Sequence, residues 1–210
     1  RQRQYRDLVK EHMAQNVAAD PKIMQQRLYK LTDVMHDTIM DRKDNPKNDM
    51  ISMLWKSEFE GKPATLNDIE DYCVVLFTAG LDTVMNAMGL GVLHLATHLD
   101  LQAQLRADPS LIGDASEELL RRYTFTVPPR WVAKDMEFQG VTMKQGERAL
   151  LFLPSADLDE AEFAEPEKFE MGRKTHIAFG IGPHRCLGSH LARIELQILY
   201  EEMLAHLPEF

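Results

Sequence analysis

Apolar residues recur at helical spacing through the first half of the chain. An Asp20 cap and Pro21 at the first helical position predict a helix that ends in the polar break DRKDNPKND. A short helix is predicted from Met50 to Phe59. The apolar positions of the first helix, which core packing alone would explain, are Ile23, Met24, Leu28, Leu31, Met35 and Ile39.

A much longer helix is predicted from about Thr65 to about Leu99. Thr65 and Asp68 resemble a capping box, with aspartate in place of the usual glutamate. At 1.5 Å per residue this helix is roughly 50 Å long. Its middle, VVLFTAGLDTVMNAMGLGVLHLA, is apolar nearly all round and therefore predicts a buried helix. Another helix is predicted from Asp114 or Ser116 to about Tyr123.

The pattern then changes to short runs of β-favouring residues. The segment RWVAKDMEFQGVTMKQGERALLFLP has turn signals at 139–140 and 145–146 and predicts a small antiparallel sheet of about three strands. Residues 154–185 are mostly irregular, which is typical of a functional loop. A last helix is predicted from near Leu187, with an apolar stripe at Leu187, Leu191, Ile194 and Ile198. The fold class is thus mainly α with a small antiparallel β-sheet.

Composition and charge limit the possible functions. Hydrophobic residues make up 44% and charged residues 27%, as in ordinary soluble domains, and the net charge of −9 disfavours nucleic-acid binding. Cys73 and Cys186 are too few and too far apart for a disulfide framework. No membrane-spanning segment and no signal-peptide core is expected, so the predicted location is the cytoplasm.

The segment FGIGPHRCLG, residues 179–188, holds Cys186 among glycines just before the last helix. A helix N-terminus stabilises a thiolate, because the unpaired amides of the next three residues point toward the sulfur. Glycines at 180, 182 and 188 remove side chains around the cysteine. This pattern suits a backbone that lies against something large and flat, such as a haem ring with the thiolate as axial ligand and Phe179 beside the sulfur.

Three alternatives remain open for this cysteine from the residues alone. Cys186 is an inert buried cysteine in the first, and a nucleophile with His184 or His190 as its base in the second. In the third, these two histidines and Cys186 hold zinc. None of the three needs glycine at all of positions 180, 182 and 188.

The ten-residue segment resembles the haem-binding signature of the cytochrome P450 family: Phe, two residues, Gly, one residue, His or Arg, one residue, Cys, one residue, Gly. The resemblance implies haem b as the cofactor, with Cys186 as the iron ligand. It also implies cofactor contacts from Phe179, Gly180, His184 and Gly188.

A second stretch, AGLDT, resembles the family segment that lies over the distal face of the haem. From the residues, Thr83 is expected to bond back to the carbonyl of Ala79 and open the helix locally. By resemblance, Ala79 contacts the cofactor, Thr83 holds dioxygen and Asp82 relays protons. Without the resemblance, the stretch would be a buried helix with a tolerated glycine.

A third stretch, EELLR, places Glu118 and Arg121 one helical turn apart. A pair at this spacing is ordinarily a surface ion pair. In the family, the matching pair is a buried brace that holds the loop leading to the cysteine, and a third basic residue completes it. EPEKF resembles the loop segment that supplies this residue, but Lys168 stands where arginine is usual, so Arg173 is the alternative third member.

Further residues take their roles from the resemblance. Arg130 and His184 are expected to bind the haem propionates, although Arg130 could equally be a solubilising charge on a strand edge. A patch of His184, Arg185 and Arg193 is expected to dock an acidic ferredoxin. The residues expected to line the substrate pocket, with Ala79, are Val75, Thr78, Thr126 and Val127.

The resemblance extends over residues 1–210 and is closest to the soluble bacterial camphor-monooxygenase branch, through GLDTVMN, EELLRRYTF and CLGSHLAR. It implies one partial cytochrome P450 domain without the N-terminal half and the extreme C-terminus. The implied parent enzyme hydroxylates a small apolar substrate, with terpenoids as one candidate class, using dioxygen and ferredoxin electrons. A non-catalytic haem-thiolate protein or an inactive fragment is the alternative; Asp82 and Thr83 favour the enzyme. The fragment alone is expected to be inactive.

Overall fold

The computed structural model describes residues 21–173 and 175–210, so the predicted cap at Asp20 lies outside the described residues. The described residues form two compact units, which are divided between Thr83 and Val84. The described part of the first unit contains helices α1 (Pro21–Asp44) and α2 (Met50–Leu54), then the antiparallel pair β1 (Glu58–Phe59) and β2 (Lys62–Pro63). Helix α3 (Leu66–Thr97) begins in the first unit and ends in the second.

The core of the first unit is small. Ile39, Ile69 and Cys73 are buried, and Trp55 packs beside them and donates its indole N–H to the carbonyl of Ile39 at 2.9 Å. Helix α2 is shorter than the sequence predicts. Glu60 and Gly61 adopt positive φ of 53° and 75°, which turns the chain into the β1–β2 hairpin and prevents the helix from continuing.

Helix α3 confirms the predicted long helix and its cap. The amide of Thr65 donates to the Asp68 carboxylate at 2.8 Å, and the amide of Asp68 donates to the Thr65 hydroxyl at 3.3 Å. The prediction that this helix is buried was wrong. Val75, Met85 and Leu93 are 61%, 47% and 60% exposed, because the described residues of this chain supply packing partners along only part of the helix circumference.

The same helix meets the length and composition requirements of a membrane span, against the expectation that no such segment exists. Leu66–Thr97 is 32 residues long and contains a window with a mean hydropathy of 1.5. The core helix of a soluble protein can have the same length and composition. Length and hydropathy therefore do not distinguish a membrane helix from a core helix whose partners lie elsewhere.

The second unit continues from the end of α3. Its elements are α4 (Leu99–Ala107), a 3-10 turn (Pro109–Leu111), α5 (Ile112–Arg122), β3 (Pro129–Trp131), β4 (Met136–Phe138), β5 (Val141–Met143), β6 (Arg148–Leu150), α6 (Leu153–Asp157), a second 3-10 turn (Gly182–His184) and α7 (Ser189–His206). The segment between α6 and α7 is mostly irregular, as the sequence predicts.

The strands form two separate antiparallel pairs rather than one sheet of about three strands. β3 pairs with β6, with Arg130 opposite Ala149, and β4 pairs with β5, with Glu137 opposite Thr142. The predicted turn at 139–140 is confirmed. Gln139 and Gly140 have φ of 52° and 77°, as a tight two-residue hairpin requires, and they close β4 onto β5 without adding a third strand.

The core of the second unit lies where α5 packs against α7. The buried side chains that meet there, with contributions from α3 and α4, are Leu95, Leu101, Leu105, Ile112, Ala115, Leu119, Leu196, Tyr200 and Leu204. Tyr200 lies against the backbone of α3, where a Cβ at Gly91 would lie 1.9 Å from the phenol oxygen. Gly91 is thus required for this close approach.

Helix α7 begins at Ser189, after Gly188, which confirms the predicted start near Leu187. It differs from its prediction in its buried face. The apolar stripe is present but faces outward; Leu187, Leu191, Ile194 and Ile198 are 68%, 59%, 53% and 52% exposed. The buried face contains Ser189, Leu196, Tyr200 and Leu204.

Candidate functional site

The loop that carries Cys186 is a compact turn closed by backbone hydrogen bonds. The amide of Gly180 donates to the carbonyl of Ile177 at 2.7 Å, and the amide of Cys186 donates to the carbonyl of Phe179 at 2.8 Å. Gly180 and Gly182 have φ of 69° and 64°, which residues with a side chain rarely adopt. The two glycines are therefore required by the backbone of the loop itself.

The thiol of Cys186 is exposed, which argues against an inert buried cysteine. The amide of Ser189 does not point at the sulfur as predicted; it donates to the carbonyl oxygen of Cys186 at 3.3 Å. Cys73, in contrast, is buried, and desolvation together with the charge of Glu70 raises the pKa of its thiol. Within the part of the chain that the structure describes, no group of three His, Cys, Asp or Glu side chains could hold a metal ion, so the zinc alternative gains no support.

The surroundings of Cys186 fit a haem group. Ile181 and Leu187 of the same segment are 70% and 68% exposed, so the loop that carries the exposed thiol also presents apolar side chains that the described part of the chain leaves uncovered. A soft sulfur donor within an apolar surface is the donor chemistry of an axial haem-iron ligand. Phe179, which is partly buried, packs against the core of the second unit, with the guanidinium carbon of Arg193 4.6 Å above its ring.

The predicted propionate partners both lie in the second unit. His184 is exposed and ends the 3-10 turn of the cysteine loop. Arg130 lies on β3, partly exposed, and its guanidinium donates to the carbonyl of Pro129 at 2.9 Å. The guanidinium of Arg130 offers a positive charge and several N–H donors, and the imidazole of His184 offers an N–H donor, so both can bind a carboxylate such as a haem propionate.

The predicted oxygen site lies on α3 in the first unit. The hydroxyl of Thr83 donates to the carbonyl of Ala79 at 2.7 Å, which confirms the expected bond back along the helix. Thr78 makes the same bond to Val74 at 2.9 Å. Ala79, Asp82 and Thr83 are exposed, as is Val75, so the described residues of the chain leave this face of α3 largely uncovered.

Of the other predicted pocket residues, Thr126 and Val127 are partly buried in the second unit, where the hydroxyl of Thr126 donates to the carbonyl of Ala178 at 3.4 Å. This bond ties the segment before β3 to the start of the cysteine loop. The two predicted pocket groups, Val75 with Thr78 and Thr126 with Val127, thus belong to different units of the chain.

Glu118 and Arg121 form a buried two-point ion pair on α5. Nε and Nη2 of Arg121 lie 2.7 and 2.8 Å from the two carboxylate oxygens, and both side chains are 1% exposed. The remaining donors of Arg121 bind the carbonyls of Asp157 at 2.6 Å and Pro166 at 2.8 Å. The pair therefore ties α5 to the irregular segment that leads to the cysteine.

Arg173 is the cation next to this pair. Its Nε lies 3.4 Å from a Glu118 oxygen, and its Nη1 donates to the carbonyl of Ala164 at 2.6 Å. Lys168 is 60% exposed and pairs with Glu165 at 3.5 Å instead. The guanidinium reaches several acceptors at once, whereas the single ammonium of Lys168 stays at the surface.

Several residues that shape this site were missed from the sequence. Asp157 is buried and accepts hydrogen bonds from the Ile177 amide at 2.8 Å and the Thr124 hydroxyl at 2.6 Å. Glu117 binds His176 and Arg193. Asp157 and Glu117 lie far along the chain from the residues they bind, so no local sequence pattern predicts these contacts.

Arg193 was predicted to belong to an exposed basic patch, and this was wrong. Its side chain is 21% exposed, and its Nε lies 2.6 Å from the Glu117 carboxylate. Pairing with a carboxylate and packing on Phe179 leave it unsuited to a docking role. His184 and Arg185 are the exposed members of the predicted patch.

Comparison with known proteins matches this arrangement to one family. The family model described as Cytochrome P450 matches residues 5–207. The chain is 36% identical over 183 residues to a steroid C26-monooxygenase of Mycobacterium tuberculosis (strain CDC 1551 / Oshkosh), which is 84% of this chain and 48% of that protein. It is 39% identical over 175 residues to a biotin biosynthesis cytochrome P450 of Bacillus subtilis (strain 168), which is 82% of this chain and 44% of that protein.

Solved structures give the same result for the fold. The crystal structure of cytochrome P450 CYP101C1 superposes with a TM-score of 0.89 at 31% identity, covering 99% of this chain and 52% of that one. The chain thus spans about half the length of the curated relatives and of this solved structure.

Proposed function

Because the chain belongs to the cytochrome P450 family, whose members bind haem b, we propose that the complete protein containing it is a haem-dependent monooxygenase with Cys186 as the thiolate ligand of the iron. The observation that carries the proposal is the exposed thiol of Cys186 in a loop whose glycines adopt positive φ, flanked by uncovered apolar side chains. An exposed cysteine with such neighbours is suited to contact one face of a large apolar ring.

The bound haem would supply reductive activation of dioxygen, in which two electrons and two protons are consumed, one oxygen atom enters a C–H bond of the substrate and the other leaves as water. The chain's own residues hold and orient the reactants. Cys186 supplies the thiolate that donates electron density to the iron. Phe179 anchors the loop, because its carbonyl accepts the hydrogen bond of the Cys186 amide, and Arg130 and His184 hold the two propionates.

Proton delivery and oxygen positioning fall to the exposed face of α3. Because the Thr83 hydroxyl donates to the carbonyl of Ala79, its oxygen lone pairs are left to accept a proton-carrying partner such as water. Asp82, exposed beside it, is the group that passes protons toward this hydroxyl. A pure haem-binding protein needs neither residue in these roles.

The substrate proposed is a small apolar molecule, and terpenoids are the class to screen first. The residues proposed to contact it, Val75, Thr78, Thr126 and Val127, offer methyl groups and short hydroxyls but no charge. Such a lining discriminates by shape and by burial of apolar surface. The curated relatives are named for a steroid and for biotin biosynthesis, so the family match alone does not select a substrate.

A ferredoxin-type protein is the proposed electron donor, and the cytoplasm is the proposed location. The exposed side chains of His184 and Arg185 lie in the same loop as the cysteine. The guanidinium of Arg185, close to the iron ligand, attracts an acidic partner and helps to orient it for electron transfer, and His184 adds a hydrogen-bond donor. The overall charge of −9 does not prevent this, because docking depends on the local field.

The test is the reduced carbon monoxide spectrum of the complete, haem-loaded protein. The wild type is expected to show the red-shifted Soret band of a thiolate ligand, and Cys186→Ala to lose it. Cys73→Ala is the matched control, because it removes the other free thiol, which is buried in the first unit, and should keep the band. A band that survives in Cys186→Ala would contradict the proposal.

A further inference from the structure

Glu117 joins three elements of the second unit through one carboxylate. One oxygen accepts from Nε of Arg193 on α7 at 2.6 Å, and the other accepts from Nη2 of Arg193 at 3.0 Å and from Nε2 of His176 at 3.1 Å. His176 precedes the cysteine loop, and Glu117 itself lies on α5. The carboxylate thus holds the residues on both sides of the loop.

The tautomer of His176 is fixed by its neighbour. Its Nδ1 accepts a hydrogen bond from the amide of Ala178 at 3.1 Å, so the ring proton is on Nε2 and is donated to Glu117. The His176 side chain is 4% exposed. Burial alone would raise the pKa of Glu117, but the hydrogen bonds from His176 and Arg193 outweigh it and lower the pKa to about 2. The carboxylate is therefore ionised at neutral pH.

The contacts continue from Arg193 to the cysteine. The guanidinium carbon of Arg193 lies 4.6 Å above the ring of Phe179, and the ring of His176 is 6.1 Å from it. The carbonyl of Phe179 accepts the hydrogen bond of the Cys186 amide at 2.8 Å. Displacement of Arg193 would therefore loosen the ring whose own backbone anchors the cysteine.

This arrangement is separate from the brace of Glu118 and Arg121. The side-chain hydrogen bonds of that pair reach Asp157, Pro166 and Glu170, all of them before the cysteine loop. Those of Glu117 reach the two ends of the loop. Adjacent carboxylates on α5 thus serve different segments.

We propose that Glu117 is a positioning residue for haem ligation, which holds Cys186 in ligating geometry through Arg193, Phe179 and His176. The proposal rests on the proposed function of Cys186 as the iron ligand. Its consequence is that loss of the Glu117 charge lets the thiolate leave the iron faster, without faster unfolding of the protein.

The experiment follows the red-shifted Soret band of the complete, haem-loaded protein with reduced iron and carbon monoxide in mild urea, together with the far-UV circular dichroism. We expect Glu117→Gln to lose the band roughly threefold faster than the wild type, an effect set by a partly exposed ion pair, while helix content decays at the wild-type rate. Arg193→Lys keeps the charge but cannot make the two-point contact or cover Phe179, and should show the same change.

Glu167→Gln is the matched control. Glu167 is 79% exposed and pairs at 3.0 Å with Arg122, which lies on α5, as Glu117 does, but outside the cysteine loop. The band of Glu167→Gln should therefore decay at the wild-type rate. The double variant Glu117→Gln/Arg193→Lys should be no faster than either single variant, because both act through one contact.

Each other outcome has a defined meaning. A wild-type rate in both single variants, additive effects in the double variant, or loss of the band in step with helix content would overturn the proposal. If Glu117→Gln does not accumulate, Arg193→Lys decides the question by the same two measurements. A wild type that never shows the red-shifted band would instead overturn the proposed function, which keeps the two failures distinct.

Discussion

Glu118 and Arg121, one helical turn apart on α5, meet in a two-point ion pair with both side chains 1% exposed. Every nitrogen donor group of the guanidinium is used, since Nη1 and Nη2 also bind the carbonyls of Asp157 and Pro166. An ion pair this deeply buried needs its full set of partners, because an unpaired charge there has no water to solvate it.

Glu118→Ala is therefore expected to destabilise the complete protein by about 3–5 kcal/mol, which is a large share of a typical domain's stability. The variant should fail to accumulate in haem-loaded form, as measured by the yield of the red-shifted band per milligram. Glu167→Ala, which breaks the exposed pair with Arg122, is the control and should cost at most about 1 kcal/mol. Equal yields of the two variants would contradict the brace.

Thr83→Ala is expected to separate substrate binding from productive turnover. Haem content and substrate affinity should stay near those of the wild type, whereas electrons should be diverted to hydrogen peroxide because the hydroxyl that holds the proton-carrying partner at the oxygen site is lost. Asp82→Asn should slow turnover by weakening proton delivery. The measurement is product formed per NAD(P)H consumed.

Thr97→Ala is the matched control for this experiment. It removes the same kind of hydroxyl-to-carbonyl bond near the end of α3, to Leu93 at 2.9 Å, away from the residues proposed to contact oxygen or substrate. Tight coupling in Thr83→Ala, or equal uncoupling in both variants, would remove the role proposed for Thr83.

Gly91→Ala and Gly89→Ala are expected to change stability in opposite directions. A Cβ at Gly91 would lie 1.9 Å from the phenol oxygen of buried Tyr200, whereas one at Gly89 would meet nothing within 4 Å. Overpacking should cost Gly91→Ala about 1–3 kcal/mol. Gly89→Ala should gain about 0.5–1 kcal/mol from its better helix propensity. Urea unfolding of both variants provides the measurement, and equal midpoints would contradict the close approach.

His94 is expected to make stability depend on pH. It is 2% exposed, and burial, with the nearby His98 and Arg122, lowers its pKa from 6.5 to about 4. Between pH 6.5 and pH 4, His94 is protonated in the unfolded chain but stays neutral in the folded chain. The free energy of unfolding therefore falls as the pH drops through this range, by at most about 1.4 kcal/mol per pH unit. Above pH 6.5 this contribution is constant.

The measurement compares unfolding midpoints at pH 7.0 and pH 5.5. His94→Gln, which retains a hydrogen-bonding group for the Tyr123 hydroxyl at 2.8 Å, should flatten this part of the pH dependence. His206→Gln changes a histidine that is 72% exposed and should leave the dependence as in the wild type. An unchanged slope in His94→Gln would show that other groups titrate there.

Residues 1–210 alone are expected to bind haem weakly and to lack monooxygenase activity. The stripe of Leu187, Leu191, Ile194 and Ile198 and the open face of α3 leave apolar surface in water, which promotes aggregation and leaves a haem incompletely covered. The test measures the rate of haem transfer to apomyoglobin and peroxide-driven hydroxylation by this chain. Slow transfer together with turnover would contradict the prediction.

The sequence alone determined the elements whose signals are local. The capping box of Thr65 and Asp68, the hairpin turn at 139–140 and the bond from Thr83 to Ala79 all involve residues close together in the chain, so side-chain type and spacing are sufficient to predict them. For the cysteine segment, the sequence predicted the glycines only as room for a large ring; the need of the loop backbone for Gly180 and Gly182, through their positive φ, came from the structure.

Only the tertiary structure decided which faces are buried and which charges are paired. Periodicity identified the apolar stripe of α7 but not its outward direction, since burial depends on which neighbours the chain provides. Likewise, Arg193 looked like an exposed cation until the fold placed it 2.6 Å from Glu117, which is 76 residues away. Contacts across such separations are set by the packing of α5 against α7, and no local pattern of residues encodes them.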